Sequence, residues 1–235
     1  MTRCSSVLES SVTDMNVSER IIERLRELHV PYKANDNIAG YLEAGELDAL
    51  QEEVEFHVRA LLHSLVIDVD HNTEGTARRV ARMYVREVFK GRYQVRPVMT
   101  DFPNVRQLDE LYTVGPITVR SMCSHHLAPV SGQAWIGVIP GERVIGLSKF
   151  NRLTDWVMSR PQIQEEAVVQ LADEIEQVMH PKGLAVMIRA THMCLATRGV
   201  CDHETTMTTS VMRGVLLDDH AAREEFLSIA HAQGF

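Results

Sequence analysis

The chain has 235 residues, 45% of them hydrophobic and 24% charged, the profile of a soluble globular protein long enough to bury a sizeable core as one large domain or one domain with an appendage. Its formal net charge of −8 excludes a general nucleic-acid binder, whose phosphate affinity comes from clustered Lys and Arg, but leaves room for an anionic small substrate where positive charge is concentrated locally. No run of about 18 apolar residues offers a membrane span, and the opening MTRCSSVLESSVTDMNV lacks the apolar core of a signal peptide; a cytoplasmic location without a membrane partner is expected.

Residues 1–16 are polar and without apolar period, as expected of a flexible arm. In NVSERIIERLRELHV, Ser18 is the expected N-cap and Ile21, Ile22, Leu25 and Leu28 recur at helical spacing. GELDALQEEVEFHVRALLHSL reads as a second helix with Leu47, Leu50, Val54, Val58, Leu61 and Leu65 in one stripe. TARRVARMYVREVFKG reads as a third, ending near Gly91. Beyond residue 95 the period changes. ELYTVGPITVRS and GQAWIGVIP are rich in β-branched and aromatic residues and read as strands, with a hairpin turn expected at Pro140-Gly141. GLSKFNRLTDWVMSR opens a helix, and QEEAVVQLADEIEQVMHPKG continues as a longer one with Ala167, Leu171, Ile175 and Val178 inward, stopped by Pro181 and Gly183. LAVMIRATHMCLA and TTMTTSVMRGVLL read as two further strands and AAREEFLSIA as a closing helix. Helices first, then strands in pairs between helices, predict an α+β fold with a mainly antiparallel sheet.

The four cysteines, Cys4, Cys123, Cys194 and Cys201, are too few for a disulfide framework, which leaves free thiols, metal ligands or reactive groups. Cys4 sits in the polar leader. In SMCSHHLAPV, Cys123 and His126 are three apart, a spacing that a tight turn closes around one ion. Alone this C-x-x-H is a weak signal. THMCLATRG adds Cys194 as a third ligand, with His192 two residues away and, on a strand, on the same face. Two Cys and one His around an open fourth position resemble a catalytic zinc more than a closed structural one. Taken singly, Cys194 on an apolar strand reads as a small buried hydrophobe, and His192 more readily as an ordinary core or surface histidine than as a catalyst; the weight comes from their conjunction.

GLSKFNR places Ser148, Lys149 and Arg152 at a helix start, where free N–H groups and the macrodipole attract phosphate. TARRVARMY adds Arg78, Arg79 and Arg82, and Arg198 and Arg213 stand next to glycine. Each alone reads as a solvated surface charge; several in an acidic protein suggest a polyanion such as a nucleoside triphosphate.

Taken together, SMCSHHLAP, VIGLSKFNRL, PQIQEEAVVQLADEI, ATHMCLATRG and MRGVLLDD followed by REEFLSI resemble GTP cyclohydrolase I, from about residue 74 to the C-terminal end, with the two earlier helices a looser match. The resemblance implies the T-fold, whose antiparallel sheets join into a barrel across subunits, and a homodecamer with active sites at subunit interfaces. The expected organisation is an arm (1–16), a helical region (17–95) and a T-fold catalytic region (96–235). The implied reaction converts GTP and water to 7,8-dihydroneopterin triphosphate and formate, at the head of folate or pterin synthesis. Cys123, His126 and Cys194 are implied as Zn²⁺ ligands, and His125, His192 and Ser148 as catalytic residues. His192 would serve proton transfer at N7 and His125 at the ribose ring, a task suited to imidazole. Gln164 and Glu165 would read guanine. Ser148, Lys149, Arg152 and Arg198, with Arg79 and Arg82 from a neighbouring subunit, would hold the triphosphate.

Departures from the family pattern are Ser124 where Glu is usual, Arg82 for Lys, Ala77 for Pro, and GVCDHETTMTTS in place of a lysine-rich loop. Two rival assignments stand beside this one. A T-fold relative feeding 7-deazapurine synthesis shares the chemistry, whereas the T-fold nitrile reductases use a nucleophilic Cys without zinc, which the trio speaks against. An inactive GTP-binding paralogue would not need all three ligands and both histidines.

Overall fold

The computed structural model describes residues 16–235. Of the arm expected over residues 1–16, only Asn16 falls within them, and Cys4 lies outside. The chain divides between Val95 and Arg96 into two units.

In the first unit, α1 (Val17–Glu27) starts one residue before the expected cap. Ser18 is already inside the first turn, where its N–H donates to Glu53 Oε2 at 2.9 Å. Asn16 occupies the cap position and Glu19, three residues on, accepts from the Asn16 N–H at 3.3 Å, the reciprocal arrangement that a capping box requires. Val17, Ile21, Leu25 and Ile38 form the buried cluster, with Ala49 and Leu50 of α2 (Glu46–Ser64) against it. Arg24 donates to both carboxylate oxygens of Glu46 at 2.7 Å. The expected stripe of α2 is covered only in its first half: Leu50, Val54 and Val58 are half-buried, while Leu61 and Leu65 are 56% and 60% exposed. Next, α3 (Thr76–Arg82) widens into a π-helical stretch over Met83–Val88 and is followed by α4 (Lys90–Tyr93), so helical structure ends two residues beyond Gly91.

The second unit is built on a five-stranded sheet of order β5-β2-β3-β6-β7, with β2 (Tyr112–Cys123), β3 (Pro129–Ile139), β5 (Pro161–Gln162), β6 (Gly183–His192) and β7 (Met207–Gly214). Every pairing is antiparallel except β2 with β5. A separate ribbon joins β1 (Asp101–Pro103) to β4 (Arg143–Ile145). The Pro140-Gly141 hairpin is therefore absent: both edges of β3 are taken by β2 and β6, and the chain after Gly141 leaves to pair with β1.

Two helices, α5 (Leu147–Met158) and α6 (Gln164–Met179), cover one face, where Ala134, Ile136, Val138, Leu184, Val186 and Ile188 meet Phe150, Leu153, Val157, Ala167, Leu171 and Ile175. Alternate residues Trp135, Ile139, Ala185 and Met187 point to the other face, under Phe226 and Ala230 of α9 (His220–Ala232). The central strands read as nearly continuous apolar runs because both faces are covered. Gly137 is required by this packing, since a Cβ there would lie 2.4 Å from Phe226 Cδ2.

The last two strands are shorter than expected. β6 ends at His192, and Met193–Ala196 form a helical turn, α7; β7 ends at Gly214, whose φ of 55° starts the turn α8 (Val215–Asp218). His192 and Cys194 are consequently not alternate residues of one strand. The α+β class with a mainly antiparallel sheet stands.

Candidate metal centre

Residues 124–128 join β2 to β3. Cys123 closes this loop with its own peptide: its N–H donates to Ala128 O and its carbonyl accepts from the Leu127 N–H, each at 2.8 Å. Leu127 adopts the left-handed φ of 49° that so short a return demands. On the other edge, Cys123 pairs with Gln162 of β5, and the Ser124 N–H donates to Gln162 O at 3.2 Å. The backbone of the buried Cys123 is thus held from both sides.

Antiparallel pairing of β3 with β6 sets His192 opposite Val130, so the end of β6 arrives beside this loop, and α7 carries Cys194 to it. The donor atoms of Cys123, His126 and Cys194 lie within 4.8 Å of one another, the one such group among the described residues. Cys123 Sγ is 4.0 Å from His126 Nδ1 and 3.8 Å from His125 Nδ1. Burial pushes the Cys194 thiol up, and the neighbouring Cys123 pushes it further, with Arg198 opposing. A cation held by the two cysteines would reverse that balance, because it would stabilise their thiolates. Two sulfurs and an imidazole at these separations fit zinc, which takes sulfur at about 2.3 Å and nitrogen at about 2.0 Å and keeps one position open in catalytic sites.

His192 is fixed from the first turn of α6. Gln164 is 3% exposed, and its Nε2 donates to Ile188 O, Met207 O and Thr209 Oγ1, each at 3.1 Å. Two of those partners are carbonyls that can only accept, so the amide orientation is set. Gln164 Oε1 is left as an acceptor for His192 Nε2 at 2.9 Å, which places the ring hydrogen on Nε2 and the lone pair on Nδ1. Burial holds the His192 imidazole below its ordinary range, and the charge of Glu165 pulls in the opposite direction. The carboxamide that was expected to read guanine is therefore committed to the protein. This contact, and the two-residue β5 that sets it up, had no signal in the periodicity.

The cationic residues fall into distinct groups. Arg198 joins the metal trio, with Nη1 donating to His126 Nε2 at 3.0 Å. Ser148, Lys149 and Arg152 share the start of α5, Ser148 and Arg152 exposed and Lys149 donating to Val98 O at 2.9 Å. Arg213 is not available to an anion, because Asp173 and Glu176 of α6 each take one of its Nη atoms at 2.5 Å. Arg79 and Arg82 belong to the first unit. Arg79 donates to Glu74 O at 3.0 Å and Thr76 Oγ1 at 2.9 Å, and Arg82 faces Glu87 at 3.7 Å.

Fold and donor set together define an α+β protein that gathers two cysteines and one histidine, their donor atoms within 4.8 Å of one another, at the end of its central sheet. The GTP cyclohydrolase I family model matches residues 54–231. Similar proteins named GTP cyclohydrolase 1 include those of Haemophilus ducreyi, 36% identical over 78% of this chain and 85% of that protein, and of Aliivibrio salmonicida, 38% identical over 76% and 83%. That of Vibrio vulnificus is 39% identical over 75% and 82%. Among solved structures, the crystal structure of the archaeosine synthase QueF-Like in the apo form aligns with 51% of this chain and 97% of that one, at 14% identity and a TM-score of 0.35. The chain belongs to the GTP cyclohydrolase I family, and its fold is the T-fold. Among the described residues, no helix is long and apolar enough to cross a membrane.

Proposed function

We propose that this chain converts GTP and water to 7,8-dihydroneopterin triphosphate and formate, with zinc on Cys123, His126 and Cys194. The observation that carries this is the convergence of that donor set in a chain of the GTP cyclohydrolase I family. Zinc, when bound, supplies a Lewis acid that brings the pKa of water to about 7.

The remaining steps belong to side chains of the protein. His192, with Nε2–H held by Gln164, offers Nδ1 as the atom that takes up and returns a proton at the purine imidazole ring. His125, beside Cys123 and not among the three grouped donors, serves the ribose ring-opening. Because the Gln164 carboxamide is engaged, recognition of guanine falls on the exposed carboxylate of Glu165, which accepts from N1–H and the 2-amino group. ATP offers neither donor in that arrangement and is rejected. Ser148, Lys149, Arg152 and Arg198 hold the triphosphate, with Arg79 and Arg82 supplied by a neighbouring subunit; Ser148 is also placed among the catalytic groups. His125, His126, Glu165 and Arg198 are exposed in a single chain, and a second subunit would exclude water from them. Assembly, which we propose is a homodecamer, draws support from β7, which among the described residues is paired on one edge only, and from the exposed Leu61 and Leu65.

The test is a GTP turnover assay on protein of measured zinc content, following formate and, after oxidation, pterin fluorescence. Formation of both in equal amounts is expected, and neither product from zinc-loaded protein would contradict the assignment.

A further inference from the structure

His126 is contacted on both ring nitrogens: Nδ1 lies 4.0 Å from Cys123 Sγ, and Nε2 accepts from Arg198 Nη1 at 3.0 Å. A guanidinium has donors only. The contact therefore needs a bare lone pair on Nε2, with the ring hydrogen on Nδ1. A metal bound through Nδ1 shifts that hydrogen to Nε2 with no net gain or loss of a proton, and the Arg198 contact becomes donor against donor. A metal bound through Nε2 takes the very lone pair that Arg198 uses. Either way the metal and Arg198 cannot hold His126 together, and both are cations.

We infer that Arg198 and the metal compete for His126, so that metal loading releases the Arg198 guanidinium to an anionic ligand and an anion on Arg198 in turn tightens metal binding. The inference rests on the assignment of Cys123, His126 and Cys194 as metal ligands. Coupling of this kind is reciprocal: whatever factor the metal adds to anion affinity, the anion adds to metal affinity. The consequence for an enzyme acting on a triphosphate is that the free arginine and the loaded site arrive together. Arg198 is exposed and lies outside the buried core, so its removal leaves the fold in place.

The experiment measures zinc affinity of the full chain by competition with a chromophoric chelator. Wild type, Arg198→Met and Arg198→Ala are compared in chloride and in sulfate buffers of equal ionic strength, with melting curves to establish that each is folded. Loss of one solvent-exposed hydrogen bond of ordinary strength from the metal-free state predicts zinc about three- to tenfold tighter in both variants than in wild type in chloride. Sulfate is expected to tighten zinc several-fold in wild type and to leave the variants unchanged. Equal or weaker zinc binding by the variants overturns the inference, as does a sulfate effect that is absent from wild type or the same in all three proteins. Cys123→Ser separates the two levels: its loss of tight zinc binding sustains the ligand assignment whatever the arginine variants do. A wild type that binds no zinc, or a Cys123→Ser variant that binds it as well, removes the ligand assignment and the inference with it.

Discussion

His192 and Gln164 form a pair with a fixed direction: the imidazole Nε2–H donates to the carboxamide Oε1 at 2.9 Å, because the other end of the amide is spent on the Ile188 and Met207 carbonyls and on Thr209. Two residues 28 positions apart in the chain thereby decide which nitrogen of His192 carries the hydrogen and which keeps its lone pair.

Gln164→Leu removes the acceptor while keeping the bulk. Turnover should fall by roughly two orders of magnitude, the low end of what a positioned general acid–base group contributes, while zinc content stays that of wild type. His192→Ala should abolish formate release with zinc retained. Metal analysis beside a formate assay checks both, and unchanged turnover in either variant would remove that residue from the mechanism.

A pH dependence of stability follows from the first unit. The hydrogen bond from Arg24 is the main reason that the Glu46 carboxyl sits below the usual carboxylate range. A depressed folded pKa adds stability that is complete above the unfolded value, about 4.3, and is lost as pH falls through the lower folded value. Glu46→Gln should therefore be less stable than wild type by about 1–3 kcal/mol near neutral pH, with the gap closing below about pH 4. Urea melts across that range provide the measurement, and a gap that does not change with pH would contradict the pairing.

Metal removal should expose the proximity of the two thiols. Cys123 and Cys194 are free, with ligand atoms within 4.8 Å, so a modest side-chain adjustment brings the sulfurs to the bonded distance of about 2.05 Å. Chelator followed by mild oxidant should join the peptides that contain them, and zinc should prevent it. Mass spectrometry of the digest decides; a cross-link that forms equally with zinc present would argue against a shared ion.

The packing of α9 on the sheet can be tested at one atom. Gly137→Ala puts a methyl 2.4 Å from Phe226, an overpacking that should cost about 1–3 kcal/mol. Thermal melts should show the loss, and Phe226→Leu in the same chain should recover part of it.

Much of the fold was legible because its cause is local. The 3.6-residue period of α1, α5 and α6 and the dense β-branched runs of β2, β3 and β6 carry their own burial pattern. The helical turn that takes Cys194 off β6 was hidden, since MCLA suits a strand as well as a turn and only the loop it meets decides. Pro140-Gly141 carried a turn signal without saying which strand follows; the filled edges of β3 settled that against a hairpin. In the site, the spacing from Cys123 to His126 was readable as a tight turn that brings two donor side chains together, whereas the commitment of Gln164 to His192 depends on β5, a strand too short to have a period. Arg213 likewise looked like Arg198 in sequence, and only tertiary pairing with Asp173 and Glu176 separates them.

The proposed function requires one zinc ion on Cys123, His126 and Cys194 for the ring-opening of GTP. Its most direct test is zinc stoichiometry and formate release measured on the same preparations of wild type and Cys194→Ser. Wild type should carry close to one zinc per chain and release formate steadily, and the variant should lose both. A zinc-free variant that still releases formate from GTP at the wild-type rate would contradict this requirement.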